Sequence, residues 1–174
     1  MKSVLQKVAK KYFNADLQDC HLSDYHRIDG LDIDLSEVLM KTKLMYEWML
    51  APLLWESTRL NLYLYGLQNK GYDIVFSTAR GIWGQKSEVE ALTKLQLSKH
   101  GITNYNKLII ADVGTKLYGL ENVALFVDDH YNNLEPYKNT LTKLLLVDKP
   151  WNRSVDEEGL VRIPDISYSH RFLN

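Results

Sequence analysis

Four short apolar runs, at residues 74–76, 108–111, 124–127 and 144–147, constrain this chain most. Each gives way at once to a small polar or acidic residue: Ser77 and Thr78, Asp112, Asp128 and Asp148. The runs are too short for helices and too continuously apolar for strands wetted on one face. They therefore predict buried strands, separated by stretches that suit helices or loops, and this is the pattern of a parallel sheet covered on both sides. The expected strands are 73–78, 107–111, 123–128 and 143–148, in one parallel sheet. Residues 87–100 give the clearest helix, with Val89, Leu92, Leu95 and Leu97 apolar and Gly101 just past His100 as its stop. Helix 86–100 is expected to pack on the sheet. In such sheets ligands sit at the carboxyl ends of the strands, where this sequence concentrates its polar residues.

Upstream, residues 3–13 place Val4, Leu5, Val8 and Tyr12 at helical spacing, predicting an amphipathic helix that ends near Asn14. Residues 16–34 read as polar and irregular, with Gly30 as a turn. Residues 35–69 read as apolar and aromatic helices interrupted around Pro52. No repeat or linker divides the 174 residues, so a single domain over 1–174 is expected, with a sheet core at about 70–150.

The bulk numbers exclude more than they assign. A net charge of −1 gives no general nucleic-acid signature and no attraction to an anionic membrane. No apolar stretch is long enough to span a bilayer, and residues 1–13 do not form a signal peptide. One cysteine, Cys20, cannot form an internal disulfide, so a reducing, cytoplasmic setting is expected. The five histidines are scattered without metal-ligand spacing, which argues against zinc.

Three strand-end clusters carry chemistry. In the first, Thr78 is followed by Ala79 and Arg80; a hydroxyl and free backbone N–H groups at a strand-to-helix turn can hold a phosphate. The second is Lys116, a point charge suited to the same anion. The third is the pair Asp128–Asp129, with His130 beside it as a peripheral residue; paired carboxylates suit Mg²⁺. Plain structural roles also fit: Thr78 ending a strand, Lys116 in a solvated loop, Asp129 capping a helix.

The order hydroxyl, lysine, carboxylate pair is where the chain resembles haloacid dehalogenase-type (HAD) phosphatases. Residues 72–81 resemble motif II, Lys116 motif III, and Val127-Asp128-Asp129 motif IV. The run from Lys10-Lys11-Tyr12-Phe13 through Leu22-Ser23-Asp24-Tyr25 to Pro150-Trp151-Asn152-Arg153 is similar to the 5'(3')-deoxyribonucleotidase branch, found in cells and phages. The resemblance implies a Rossmann-like three-layer α/β fold with a small helical cap at residues 15–60, where Tyr46, Trp48 and Trp55 would be core. It implies that Thr78 contacts a phosphoryl group, Lys116 balances its charge, and Asp128 and Asp129 hold Mg²⁺. A nucleotide or phosphate ligand and a protein partner are the partners in view.

The departure from the family is at the nucleophile. The family's first, central strand ends in Asp-x-Asp-Gly, and here the sequence from Met1 matches the helix after that strand. Asp32-Ile33-Asp34 has the spacing, but it falls in the cap region and lacks the glycine; a solvated loop or helix N-cap is the simpler expectation. The reading is a catalytically silent relative that binds rather than hydrolyses. The alternative is an active Mg²⁺-dependent 5'-nucleotidase whose nucleophile is unconventional or encoded upstream. With the central strand missing, residues 74–78 and 124–128 are expected to close up and pair directly, one strand spacing of about 4.8 Å apart.

Overall fold

The computed structural model describes residues 10–11, 14, 27–28, 31–34, 57–79 and 85–173. It is a mixed α/β structure whose longer strands pair in parallel. The chain divides into two compact units, Met1–Leu17 with Leu35–Asp112, and Gln18–Asp34 with Val113–Asn174. Among the described residues no helix is long and apolar enough to cross a membrane.

In the first unit, Lys10 and Lys11 are helical, and Asn14 has a φ of 51°, the left-handed conformation in which helices commonly close. Helix α1 (Ser57–Asn69) buries Leu60, Leu64 and Leu67, one stripe at spacings of four and three. It ends where Gly71, at φ 86°, lets Tyr72 N–H reach back to the Leu67 carbonyl. Strand β3 (Val75–Thr78) follows, then helix α2 (Lys86–Lys99), which packs against strand β4 (Lys107–Ile110).

Helix α2 closes as predicted. Gly101 takes φ 65°, its N–H bonds Ser98, and Ile102 N–H bonds the Leu97 carbonyl. Its buried face differs from the expected one: Thr93 and Gln96 are buried with Val89 and Leu97, while Leu95 is exposed. Thr93 tolerates burial because its hydroxyl donates to the Val89 carbonyl one turn back. Strands β3 and β4 are parallel, in register from Val75–Lys107 to Thr78–Ile110.

The second unit holds a hairpin and a sheet. In the hairpin, β1 (Arg27–Ile28) pairs antiparallel with β2 (Leu31–Asp34) through an irregular register. This corrects the irregular reading of residues 27–28 and 31–34. The missed signal is Asp29-Gly30 between apolar positions, a strong two-residue hairpin cue. Gly30 itself, the cap residues 35–56, and Tyr46, Trp48 and Trp55 lie outside the described residues.

The sheet joins β5 (Leu125–Asp128), β6 (Lys143–Val147) and β7 (Val161–Ile163), all parallel. Helix α3 (Tyr131–Leu134) and a 3-10 turn at Glu135–Tyr137 cross from β5 to β6. The core gathers Phe126, Leu134 and Leu146, with Leu117, Tyr137 and Leu160 packed on it.

All four predicted strands exist, and among the described residues their hydrogen-bonded pairings fall in two sheets. Among the described residues β3 pairs only with β4, and β5 only with β6; the expected direct pairing of β3 with β5 is not made. Strands β3 and β4 are joined by a helix long enough to carry a parallel crossover, and β5 and β6 by α3 with its 3-10 turn. Between β4 and β5 the chain instead makes turns at two left-handed glycines, Gly114 (φ 76°) and Gly119 (φ 73°). Strand β7 was not foreseen, because a three-residue Val-Arg-Ile run carries too little pattern to distinguish it from a loop.

Candidate functional site

The site is built at the carboxyl end of β5. Two residues buried in water-poor surroundings meet there: Lys116 Nζ lies 2.5 Å from Asp128 Oδ2, with the lysine 8% and the aspartate 7% exposed. The other carboxylate oxygen of Asp128, Oδ1, accepts from His130 N–H at 2.9 Å and from Asn133 Nδ2 at 3.0 Å. Three donors therefore converge on one buried carboxylate, which is what its ionised form requires away from water.

The loop carrying Lys116 is fixed on both sides of the lysine. Asn133 Oδ1 accepts from Gly114 N–H at 3.2 Å. The Tyr137 hydroxyl donates to the Gly114 carbonyl and accepts from Leu117 N–H, both at 3.1 Å. Tyr137 is itself set by its ring, edge-on to Phe126 at 5.8 Å between centroids. Gly114 takes a positive φ of 76°, a conformation in which a side chain would be strained.

Asp129 is held differently, through its backbone. Its carbonyl accepts from Trp151 Nε1 at 3.1 Å and from Asn152 Nδ2 at 2.9 Å. Asn152 is buried and fully used: the same amide nitrogen donates to the Val147 carbonyl, while its oxygen accepts from Lys149 N–H and from Arg162. Arg162, from β7, also donates to the Asn152 and Val155 carbonyls. Burial, and then repulsion from Asp128, push the Asp129 carboxyl above the ordinary carboxylate range; Lys116 and Lys149 pull it back.

The predicted site residues are thus divided. Lys116, Asp128 and Asp129 come together in the second unit, with His130 donating only its backbone N–H to this network among the bonds described above. Thr78 ends β3 in the first unit, half-buried, its carbonyl accepting from Ala111 N–H, and Ala79 follows it. Arg80 lies outside the described residues. Asp32 and Asp34 lie on strand β2, not in the loop or helix cap expected of them. Among the described residues no three His, Cys, Asp or Glu side chains cluster as a metal site would.

Sequence reasoning missed Asn133, Tyr137 and the work of Asn152 and Arg162. Asparagines soon after strand ends are a weak cue, because the same residue type marks ordinary turns. Compared with models of protein families, with curated proteins and with solved structures, the chain matches none.

Proposed function

We propose that this protein is a HAD-like relative of the 5'(3')-deoxyribonucleotidases that binds a phosphate monoester, with a nucleotide as the ligand class, and does not hydrolyse it. The observation that carries this reading is the buried contact of Lys116 with Asp128. Residue order alone assigned the two to successive motifs of one phosphate site. A buried ion pair is also a poor way to gain stability, since well-packed apolar residues do as well or better. Its presence at a strand's carboxyl end therefore fits chemistry better than architecture.

The donor set suits Mg²⁺ in one respect. The oxygens of Asp128 are taken by N–H donors, so Asp129 would hold the ion, and a cation would relieve its unfavourable ionisation. One carboxylate with water and substrate phosphate is an ordinary Mg²⁺ environment. When bound, the ion would offset the charge of the phosphoryl oxygens. Lys116 supplies a second positive charge, held in place before ligand arrives. For Thr78, Ala79 and Arg80 a phosphate-contacting role rests on the resemblance alone.

Among the described residues the Asp-x-Asp spacing of Asp32 and Asp34 falls on an antiparallel strand and not on a parallel one, which supports the silent reading, because covalent phosphoryl transfer needs its carboxylate in place. Calorimetric titration with a deoxynucleoside 5'-monophosphate should show Mg²⁺-dependent binding, without phosphate release. Absence of binding overturns the reading. Turnover on the order of 1 s⁻¹ or faster, the ordinary enzyme range, overturns its silent part. For the active alternative the residues to test are Asp32 and Asp34, which keep the Asp-x-Asp spacing on β2. If turnover appears, Asp32→Asn and Asp34→Asn should abolish it.

A further inference from the structure

Lysine is the residue least suited to a fixed buried position, with a flexible four-carbon stem and a strongly hydrated head. Something must hold Lys116 against Asp128, and the polar groups around it show what does. Asn133 donates through Nδ2 to Asp128 Oδ1 and accepts through Oδ1 from Gly114 N–H, two residues before the lysine. One buried amide thus ties the lysine's loop to the lysine's partner. Its orientation is fixed by chemistry, because turning it over would set oxygen against carboxylate and N–H against N–H. By occupying Oδ1 together with His130 N–H, it also leaves Oδ2 as the oxygen open to Lys116. Tyr137 completes the hold by bonding the loop at Gly114 and at Leu117.

We infer that Asn133 and Tyr137 are positioning residues that set Lys116 for its anion, a role that rests on the phosphate reading of that lysine. Neither aspartate nor leucine can replace Asn133, for aspartate lacks the donor and leucine lacks both functions.

The test needs no ligand. The full chain is pulsed with an amine-acylating reagent, and each lysine's labelling rate is read by mass spectrometry, with exposed Lys94 as internal reference. In the wild type Lys116 should label many-fold more slowly than Lys94. In Asn133→Asp and Asn133→Leu its rate should rise about tenfold, the weight of one hydrogen bond to a charged group. Tyr137→Phe should raise it less, because it disturbs the loop and not the acid. Ser169→Ala, which removes the buried hydroxyl bonding Ile166 in the same unit, should leave it unchanged. Circular dichroism checks folding; should the leucine variant not fold, the near-isosteric aspartate carries the test.

Unchanged Lys116 labelling in a folded Asn133 variant overturns the inference, as does an equal rise in Ser169→Ala. A parallel titration with inorganic phosphate and Mg²⁺ separates the two claims. If the wild type fails to bind, the proposed function falls while labelling still judges Asn133. If the wild type binds, Asn133→Asp should bind about tenfold more weakly.

Discussion

The two units use the same strand and helix vocabulary and fill their interiors differently. Among the described residues, the first unit buries two polar side chains, Thr93 and Gln96, both neutral and both on one helix. The second buries Lys116, Asp128, Asn133, Asn152 and Ser169, and the first three are bonded to one another. In the first unit hydrogen bonds finish elements: the glycine-closed helix ends, and Asn61 and Asn106, which fasten neighbouring loops. In the second they surround a charge. A unit built only for stability has no need of the second arrangement, and this contrast supports the binding role proposed for the second unit.

The largest effect should come from breaking the ion pair. Lys116→Met or Asp128→Leu alone should cost about 3–5 kcal/mol, because each strands a buried charge. The double variant should recover most of that loss, while Thr93→Val in the first unit should cost about 1 kcal/mol. Urea denaturation followed by amide signals of β3–β4 and β5–β7 would read both units. Equal losses in the two would erase the contrast.

Next in size is Asn152→Ala. It removes the Asn152 bonds to the Val147 carbonyl and Lys149 N–H and leaves the Asp129 carbonyl to Trp151 alone, at a cost of about 2–3 kcal/mol. Asn61→Ala, whose bonds lie at more exposed positions, should cost clearly less by the same measurement.

Gly101→Ala should cost about 1 kcal/mol, the strain of a left-handed residue with a Cβ. Nothing lies within 4 Å of that Cβ, so no steric share is expected. A much larger loss would mean that the helix stop also supports packing.

The smallest effect is distinguished by its sign. The folded state raises the Asp129 carboxyl above its ordinary value near 3.8, so it holds this proton to a higher pH than the unfolded chain does. Between the two values the native state binds more protons, and this residue's contribution to stability falls as pH rises. Asp129→Asn should remove that decline and leave the variant more stable than wild type at neutral pH. Urea midpoints measured from pH 4 to 8 would show it. A variant less stable at neutral pH would mean that the ionised carboxylate is well accommodated.

Much of this architecture is legible in the residues themselves, and the exceptions have physical reasons. The four apolar runs became β3, β4, β5 and β6, because a buried strand has no alternative use for such a run. Gly101 stopped its helix because few residues enter the left-handed region freely. The resemblance assigned Lys116 and Asp128 to one phosphate site, but their direct pairing was not foreseen. Sheet membership was not, because an apolar run says that a strand is buried and not which neighbour it pairs with. The Asn133 and Asn152 bonds were not legible either. An asparagine's partners are set by the tertiary placement of carbonyls and N–H groups far along the chain, for which local sequence has no period.

Tyr137 has a consequence for how the site opens. Its ring belongs to the core around Phe126, and its hydroxyl holds the lysine's loop. Local opening of that loop therefore cannot proceed without disturbing the packing that keeps β5 and β6 together. Most binding loops exchange their amide hydrogens quickly, being drawn from the least stable parts of a fold. Here the amides of Gly114 and Leu117 should exchange as slowly as those of the central strand, so the site and the core should come apart as one event.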